Sequence, residues 1–473
     1  MTESHVSADI DVVDFFTDNR LLHDPYEYLA AMRRRCPVRR EPFHDVVMVT
    51  GYEEAVAVYN DNVRFSSCTS VTGPFPGFPV PLEGDDVSEL IDKHRRELPF
   101  NDQLPSLDPP VHTDHRALLS RMITPKRLRE NEEFMRRLAD RQYDEALAGG
   151  GCEFVAAFAN PFAMLVIADL LGVPESDHDD FKGELLNKTG MIGSGGDAMH
   201  HSPLAYLYGR FTDYITERRE NPRDDVLTGL AAAVFSDGST PPVADVVCVA
   251  ANLFAAGQET TVRLLSTAVQ FIAEDPALQA RLRADRGLLP GFIEETLRVE
   301  SPIRGDFRLS RVPVTVGGVD LPAGATVMLN NAAANRDPRR FPNPDSFDIE
   351  RSNARNHIAF GRGAHSCPGL RWPAPRRRSV SIDSSTAPRG SGSTRTTTVP
   401  LGTGDTATCP PSFFGGWPPC ISVSARPAMR HDRDMLTARI DSDRLCFATG
   451  FDFIAVNAGS VIVADWEIPK QVG

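Results

Sequence analysis

Between Val243 and Glu274 the chain is apolar almost throughout, a run of roughly 30 residues that as a helix spans about 45 Å. Helices of that length on a protein surface carry one apolar stripe, whereas this one is apolar on every side, so it must run through a core. A membrane span is the competing reading, but Gln258, Glu259, Arg263 and Gln270 interrupt the run. With 41% hydrophobic and 24% charged residues, the 473-residue chain has the composition of a soluble globular protein and is long enough to wrap such a helix.

Charge narrows the function classes. Fifty Lys and Arg against 64 Asp and Glu give a net charge of −14. An acid excess disfavours a phosphate backbone as partner and an anionic membrane as docking surface. The first 16 residues are polar and acidic, without the basic and apolar regions of a signal peptide, so a cytoplasmic location is expected. The eight cysteines include no CxxC pair, which fits a reducing compartment and no disulfide framework.

Elsewhere helical patterns dominate. Helices are expected over 25–35, 51–59 and near 87–95, and across most of 111–300. Strands are expected at Val38–Arg40, Val46–Val49, Val314–Val316 and Thr326–Leu329. Residues 73–107 form a long connection rich in Pro, Gly and acids, of the kind that is usually functional. After Leu370 the character changes. Residues 379–408 are about half Ser and Thr, and no Lys or Glu occurs between Arg371 and His431. Such low complexity reads as a disordered stretch over 371–434, followed by an unassigned tail at 435–473.

The strongest chemical signal is the decapeptide Phe360-Gly361-Arg362-Gly363-Ala364-His365-Ser366-Cys367-Pro368-Gly369. Alone, Cys367 would read as a small buried hydrophobe. Flanked by glycines that permit a tight turn, and followed by a Pro-Gly stop, it has the setting of a thiolate ligand. The decapeptide resembles the heme-binding Cys-loop of the cytochrome P450 family. Further motifs fall in that family's order: Ala256-Gly257-Gln258-Glu259-Thr260-Thr261 within the long helix, Glu295-Thr296-Leu297-Arg298, and Ala334-Asn335-Arg336-Asp337-Pro338 leading to Phe347-Asp348-Ile349-Glu350-Arg351. The last is Asp108-Pro109-Pro110-Val111-His112-Thr113-Asp114-His115-Arg116.

The resemblance covers residues 9 to 370 and is to the bacterial soluble members. It implies a mostly α domain with a minor β region, residues 1–370, holding heme b. Cys367 is the expected iron ligand. His112, Arg116, Arg308 and His365 are the expected partners of the heme propionates, and Gly257 is expected to leave room for dioxygen. The resemblance puts Thr260 at the oxygen and Glu259 in a proton relay. Glu295, Arg298 and Arg351 are expected to be structural, fixing the loop that carries the thiolate. A zinc site on His112 and His115 is the alternative for that pair, and it lacks a third ligand. The implied activity is a monooxygenase that inserts one oxygen atom into a small apolar substrate. It would act as a monomer, with electrons from a ferredoxin and a ferredoxin reductase, and with no nucleic-acid or membrane partner. Phe75, Phe78, Leu82 and Met191 are expected to line the pocket, and Arg362 to give the proximal face positive charge.

The chain departs from the family after the Cys-loop. Members continue into a helix that backs the heme, but Pro373 and Pro375 would break one here, so the domain lacks a recognisable helix after the loop. A frameshift after Gly369 or Leu370 accounts for such a change. Two other readings follow: a frameshifted, non-enzymatic remnant with weak or no heme binding, and a peroxide-driven heme-thiolate oxygenase, which the intact Glu259–Thr260 pair disfavours.

Overall fold

The computed structural model describes residues 10–122, 125–148, 151–186 and 203–371, with short pieces at 422–424, 439–441, 444–446, 453–457 and 460–464. The chain begins with α1 (Arg20–His23), α2 (Tyr26–Arg35), strands β1 (Val38–Arg40) and β2 (Val47–Val49), α3 (Tyr52–Tyr59) and β3 (Phe65–Ser66). After α4 (Ser88–His94) a helical block follows: α5 (Val111–Met122), α6 (Pro125–Ala148), strand β4 (Gly151–Glu153), α7 (Asn160–Leu171), α8 (His178–Leu186), α9 (Pro203–Glu220), α10 (Val226–Ala231), α11 (Val243–Glu274), α12 (Pro276–Ala284) and α13 (Leu289–Val299). Strands β5 (Asp306–Ser310), β6 (Val314–Val316), β7 (Val319–Leu321) and β8 (Thr326–Leu329) and helix α14 (Asn331–Ala334) lead to an irregular stretch that ends in a 3₁₀ turn at Pro368–Arg371.

Local chemistry sets several helix ends. Asp275 caps α12 by accepting from the N–H groups of Ala277 and Leu278, with Pro276 at the first position. Asp225 caps α10 through the Thr228 N–H at 2.7 Å. Gly172, at φ 81°, closes α7 in the left-handed conformation. α11 has the span expected from the sequence, and Val247, Ala250, Ala251, Phe254, Val262 and Leu265 sit within the largest buried cluster, which also takes in α5, α6, α7, α9 and α13. The fold is mostly α with a minor β region, as expected.

The main sheet has the order β1-β2-β8-β5-β3. β5 is its hinge for function. It pairs antiparallel with β8 on one side, Arg308 opposite Val327, and with β3 on the other, Leu309 opposite Ser66. The sheet packs a second core of Val47, Val49, Val58, Tyr59, Phe65, Val327, Leu329 and Phe341.

The residues expected to line a pocket have these neighbours. The Phe75 ring lies 5.1 Å from His44 and 5.9 Å from Phe16, against the N-terminal segment. Phe78 and Leu82 pack on a satellite core of Cys68, Val87, Ile91, Leu98, Leu309 and Ala323. Met191 lies outside the described residues. So does most of the 371–434 stretch expected to be disordered; within it, Ser422–Ser424 pairs antiparallel with β4. The described parts of the 435–473 tail form two hairpins, Arg439–Asp441 with Arg444–Cys446 and Phe453–Asn457 with Ser460–Ala464.

Candidate active site

The Cys-loop is a closed turn. The Cys367 N–H donates to the Phe360 carbonyl at 2.8 Å, bringing the two ends of the loop together. Gly361 and Gly363 adopt φ of 63° and 68°, and a Cβ at 363 would collide with the Tyr59 carbonyl oxygen. Glycine is needed there both for the left-handed backbone and for the approach to α3. Arg362, expected to give the proximal face positive charge, is half-buried. Its guanidinium donates to the carbonyls of Asn356 (3.0 Å) and His357 (3.2 Å), and lies 3.4 Å from the Tyr52 hydroxyl. It staples the loop and keeps its charge.

The four donors expected for the propionates do come together. His112, on the first turn of α5, stacks on His365 of the Cys-loop with ring centroids 3.9 Å apart. Arg116, one turn further, donates to the Ser366 carbonyl. Arg308 on β5 is buried, with Asp306 at 2.9 Å and the Tyr59 ring 5.4 Å away. His365 Nε2 lies 3.1 Å from Ser67 Oγ. Burial, reinforced by Arg116, pushes His112 down to about 4. Burial with the charges of Arg308, His112 and Arg116 pushes His365 down to about 2. Both rings are therefore neutral at pH 7.

This donor set fits the carboxylates of heme b. His112 is 2% exposed, and its Nε2 is a buried polar atom without a hydrogen-bond partner. An orphan of this kind costs about 1–3 kcal/mol unless a ligand answers it. Two histidines and two arginines packed around one loop call for anionic groups.

On α11, the expected oxygen-handling residues lie on the face that the core leaves open. Most of this helix is buried, yet Ala256 is exposed and Thr260 is half-buried one turn on. Thr260 Oγ1 donates to the Ala256 carbonyl at 2.8 Å. Glu259 is engaged by Arg263 one turn on, at 2.6 Å. Gly257 faces the neighbouring helix: a Cβ there would stand 3.0 Å from Ile167 Cδ1 of α7. Its observed role is close helix packing.

Behind the loop, the expected structural triad is assembled, with Glu295 and Arg298 fully buried and Arg351 partly so. Glu295 accepts from Arg298 Nε and Nη2, both at 2.8 Å, from Arg351 Nε at 3.0 Å and from the Asp348 N–H at 3.0 Å. Arg298 also donates to the carbonyls of Asn335, Pro344 and Ser346, and Arg351 to those of Pro342, Asn343 and Ser346. Asn335 passes the constraint on, since its Oδ1 accepts the Ile358 N–H at 2.7 Å, two residues before the loop begins.

Sequence reading missed two contributors. Ser67 contacts His365, and Asp108 gathers Ser66, Ser67, Arg95 and Arg311. Only Asp108, inside a motif already singled out, carried a signal that could have found it.

The matches to known proteins agree with this geometry. The family model for Cytochrome P450 matches residues 205–372. The chain is 33% identical to cytochrome P450 144 of Mycobacterium tuberculosis over 356 residues, covering 74% of this chain and 79% of that protein. It is 31% identical to 6-deoxyerythronolide B hydroxylase of Saccharopolyspora erythraea, covering 73% and 84%. Among solved structures, the substrate-free cytochrome P450 CYP150A6 of Mycobacterium marinum is 51% identical, with a TM-score of 0.72 over 76% of this chain and 86% of that one. CYP109E1 of Bacillus megaterium in complex with testosterone is 29% identical, with a TM-score of 0.60 over 73% and 86%.

Proposed function

The chain belongs to the cytochrome P450 family, whose members are enzymes that bind heme b, and from that premise we propose how its own residues serve a heme-thiolate monooxygenase. The observation that carries the reading is the buried donor set His112, Arg116, Arg308 and His365 gathered around the loop that presents Cys367. When bound, heme b supplies the activation of dioxygen by two electrons that puts one oxygen atom into substrate and the other into water.

The Cys367 sulfur would ligate the heme iron, on a loop closed by its own N–H and backed by the Glu295 triad. His112 and Arg116 from α5, Arg308 from β5 and His365 from the Cys-loop would hold the propionates through their N–H groups. Thr260 bonds its hydrogen to Ala256 and keeps its lone pairs toward the open face. There it can accept from a water and, by rotating, hand on a proton. Glu259 replenishes that proton and must first part from Arg263. The substrate is a small apolar molecule lying along the open face of α11 near Ala256; the testosterone complex of CYP109E1 supports a ligand of that kind. Electrons come from a ferredoxin and its reductase in the cytoplasm, to a monomer.

The test is a ferrous carbon monoxide difference spectrum of the purified full chain. A thiolate-type band is expected, lost in Cys367→Ala and retained in Cys248→Ala, whose thiol is buried and donates to the Asp102 carbonyl at 3.0 Å. Absence of any band would overturn the reading in favour of a remnant that no longer holds heme. What favours that second reading is that the family model matches only to residue 372 and that, among the described residues, the loop is followed by no more than the 3₁₀ turn Pro368–Arg371.

A further inference from the structure

The connection from Cys68 to Leu107 leaves the sheet at Ser67 and returns at Asp108, and both ends meet on one carboxylate. Asp108 is 5% exposed. Its Oδ1 accepts the Ser67 N–H at 2.8 Å, and its Oδ2 accepts the Ser66 hydroxyl at 2.5 Å. The interior of the connection comes back to the same group: Arg95, just after α4, donates from Nη1 to Oδ2 at 3.0 Å and from Nη2 to the Ser106 carbonyl at 2.5 Å. Arg311, following β5, donates to Oδ2 at 2.8 Å. Exposed Asp92 on α4 adds weaker contacts, 4.0 Å from Arg95 and 3.6 Å from Arg311. One buried carboxylate thus pinches the base of a 40-residue connection and ties its interior to the end of β5.

Each element tied here also carries a group of the proposed heme site, on which this inference rests. Ser67 touches His365. Asp108 lies four residues before His112, and its backbone carbonyl accepts the His112 N–H at 3.0 Å, starting α5. Arg311 lies three residues after Arg308. We propose that Asp108 is a positioning residue that couples the placement of the 68–107 connection to the geometry of the propionate donors. Loosening it releases the connection and misplaces His365 and His112 together. Arg95 is the half of the device that belongs to the connection alone, because its removal leaves the bonds from Asp108 to Ser66 and Ser67 intact.

Hydrogen exchange of the full chain and transfer of heme to apomyoglobin test this in Asp108→Asn, Asp108→Glu and Arg95→Ala. Asp108→Asn keeps the shape and removes the charge between two guanidiniums. It should raise amide exchange across 88–107 and speed heme release, each by about tenfold. Arg95→Ala should raise exchange alone, and Asp108→Glu should restore heme retention at least in part. Unchanged exchange in Asp108→Asn overturns the proposal, as does faster exchange with heme release like that of the parent. A parent chain that holds no heme overturns the functional reading instead, and the exchange measurement, which needs no heme, still decides whether Asp108 sets the connection.

Discussion

Changing Glu295 to glutamine removes one charge and almost no volume from a site with no exposure. The carboxylate receives four hydrogen bonds, three from two guanidiniums and one from the Asp348 N–H. An amide can accept on one side only, and its NH₂ group would face donors on the other. Breaking a buried pair by removing one partner costs about 3–5 kcal/mol, because the remaining charge stays buried and uncompensated. Here two arginines are left. Unfolding entropy of about 2.1 cal/mol/K per residue, over about 360 residues, comes to roughly 0.76 kcal/mol/K. The expected drop in Tm is therefore about 4–7 °C, measured by differential scanning calorimetry at pH 7. The loss should appear spectrally as well. Arg298 and Arg351 hold the carbonyls of residues 335 and 342–346, and Asn335 holds the Ile358 N–H. A slackened stretch should convert part of the carbon monoxide band from thiolate to thiol type. A Tm within 1 °C of the parent with an unaltered band would refute the role of Glu295 in supporting the Cys-loop.

Other outcomes follow from the same contacts. Thr260→Ala should consume reductant at near the parent rate while releasing peroxide in place of most product, since one hydroxyl is lost without disturbing the fold; peroxide and product assays that show full coupling would remove Thr260 from the relay. Gly257→Ala gains about 1 kcal/mol of helix propensity but overpacks Ile167, which costs about 1–3 kcal/mol. A net loss of up to about 2 kcal/mol in a denaturant titration is expected, and a gain would show that α7 gives way. Burial pushes the carboxyls of Glu295 and Asp337 up, yet the arginines and N–H groups around them outweigh it and hold both below the usual range. Their contribution is full above the unfolded values, 4.5 for Glu295 and 3.8 for Asp337, and is lost as pH falls from those values through the lower folded ones. Melts from pH 6 to 3 should show a decline beginning near pH 5, smaller in Asp337→Asn.

Local pattern carried much of this fold. α11 is legible because a helix buried on nearly all sides is apolar on nearly all sides, and β6 and β8 are legible because each follows a turn. The pairing of β5 with β3 was not, since partners more than 200 residues apart leave no local trace. Motif spacing named the donors, but it could not reveal which neighbours neutralise them. Arg362 looked like surface charge in the sequence and became a staple once Asn356 and His357 turned their carbonyls toward it. For Phe78 and Leu82, apolar character says that a side chain is buried, and tertiary contacts alone say against what.

The double pairing of β5 has a consequence for what changes this chain can accept. Successive residues of a strand face opposite sides, so sliding β5 by one position would replace Arg308 with Phe307 or Leu309. No intermediate placement exists. A residue gained or lost between Val299 and Asp306 must be absorbed wholly in that connection, or the heme side of the sheet exchanges a guanidinium for a hydrocarbon. Length variation near this strand is therefore an all-or-none matter, whereas in a helix a single insertion turns every later side chain by about 100° and could be taken up gradually.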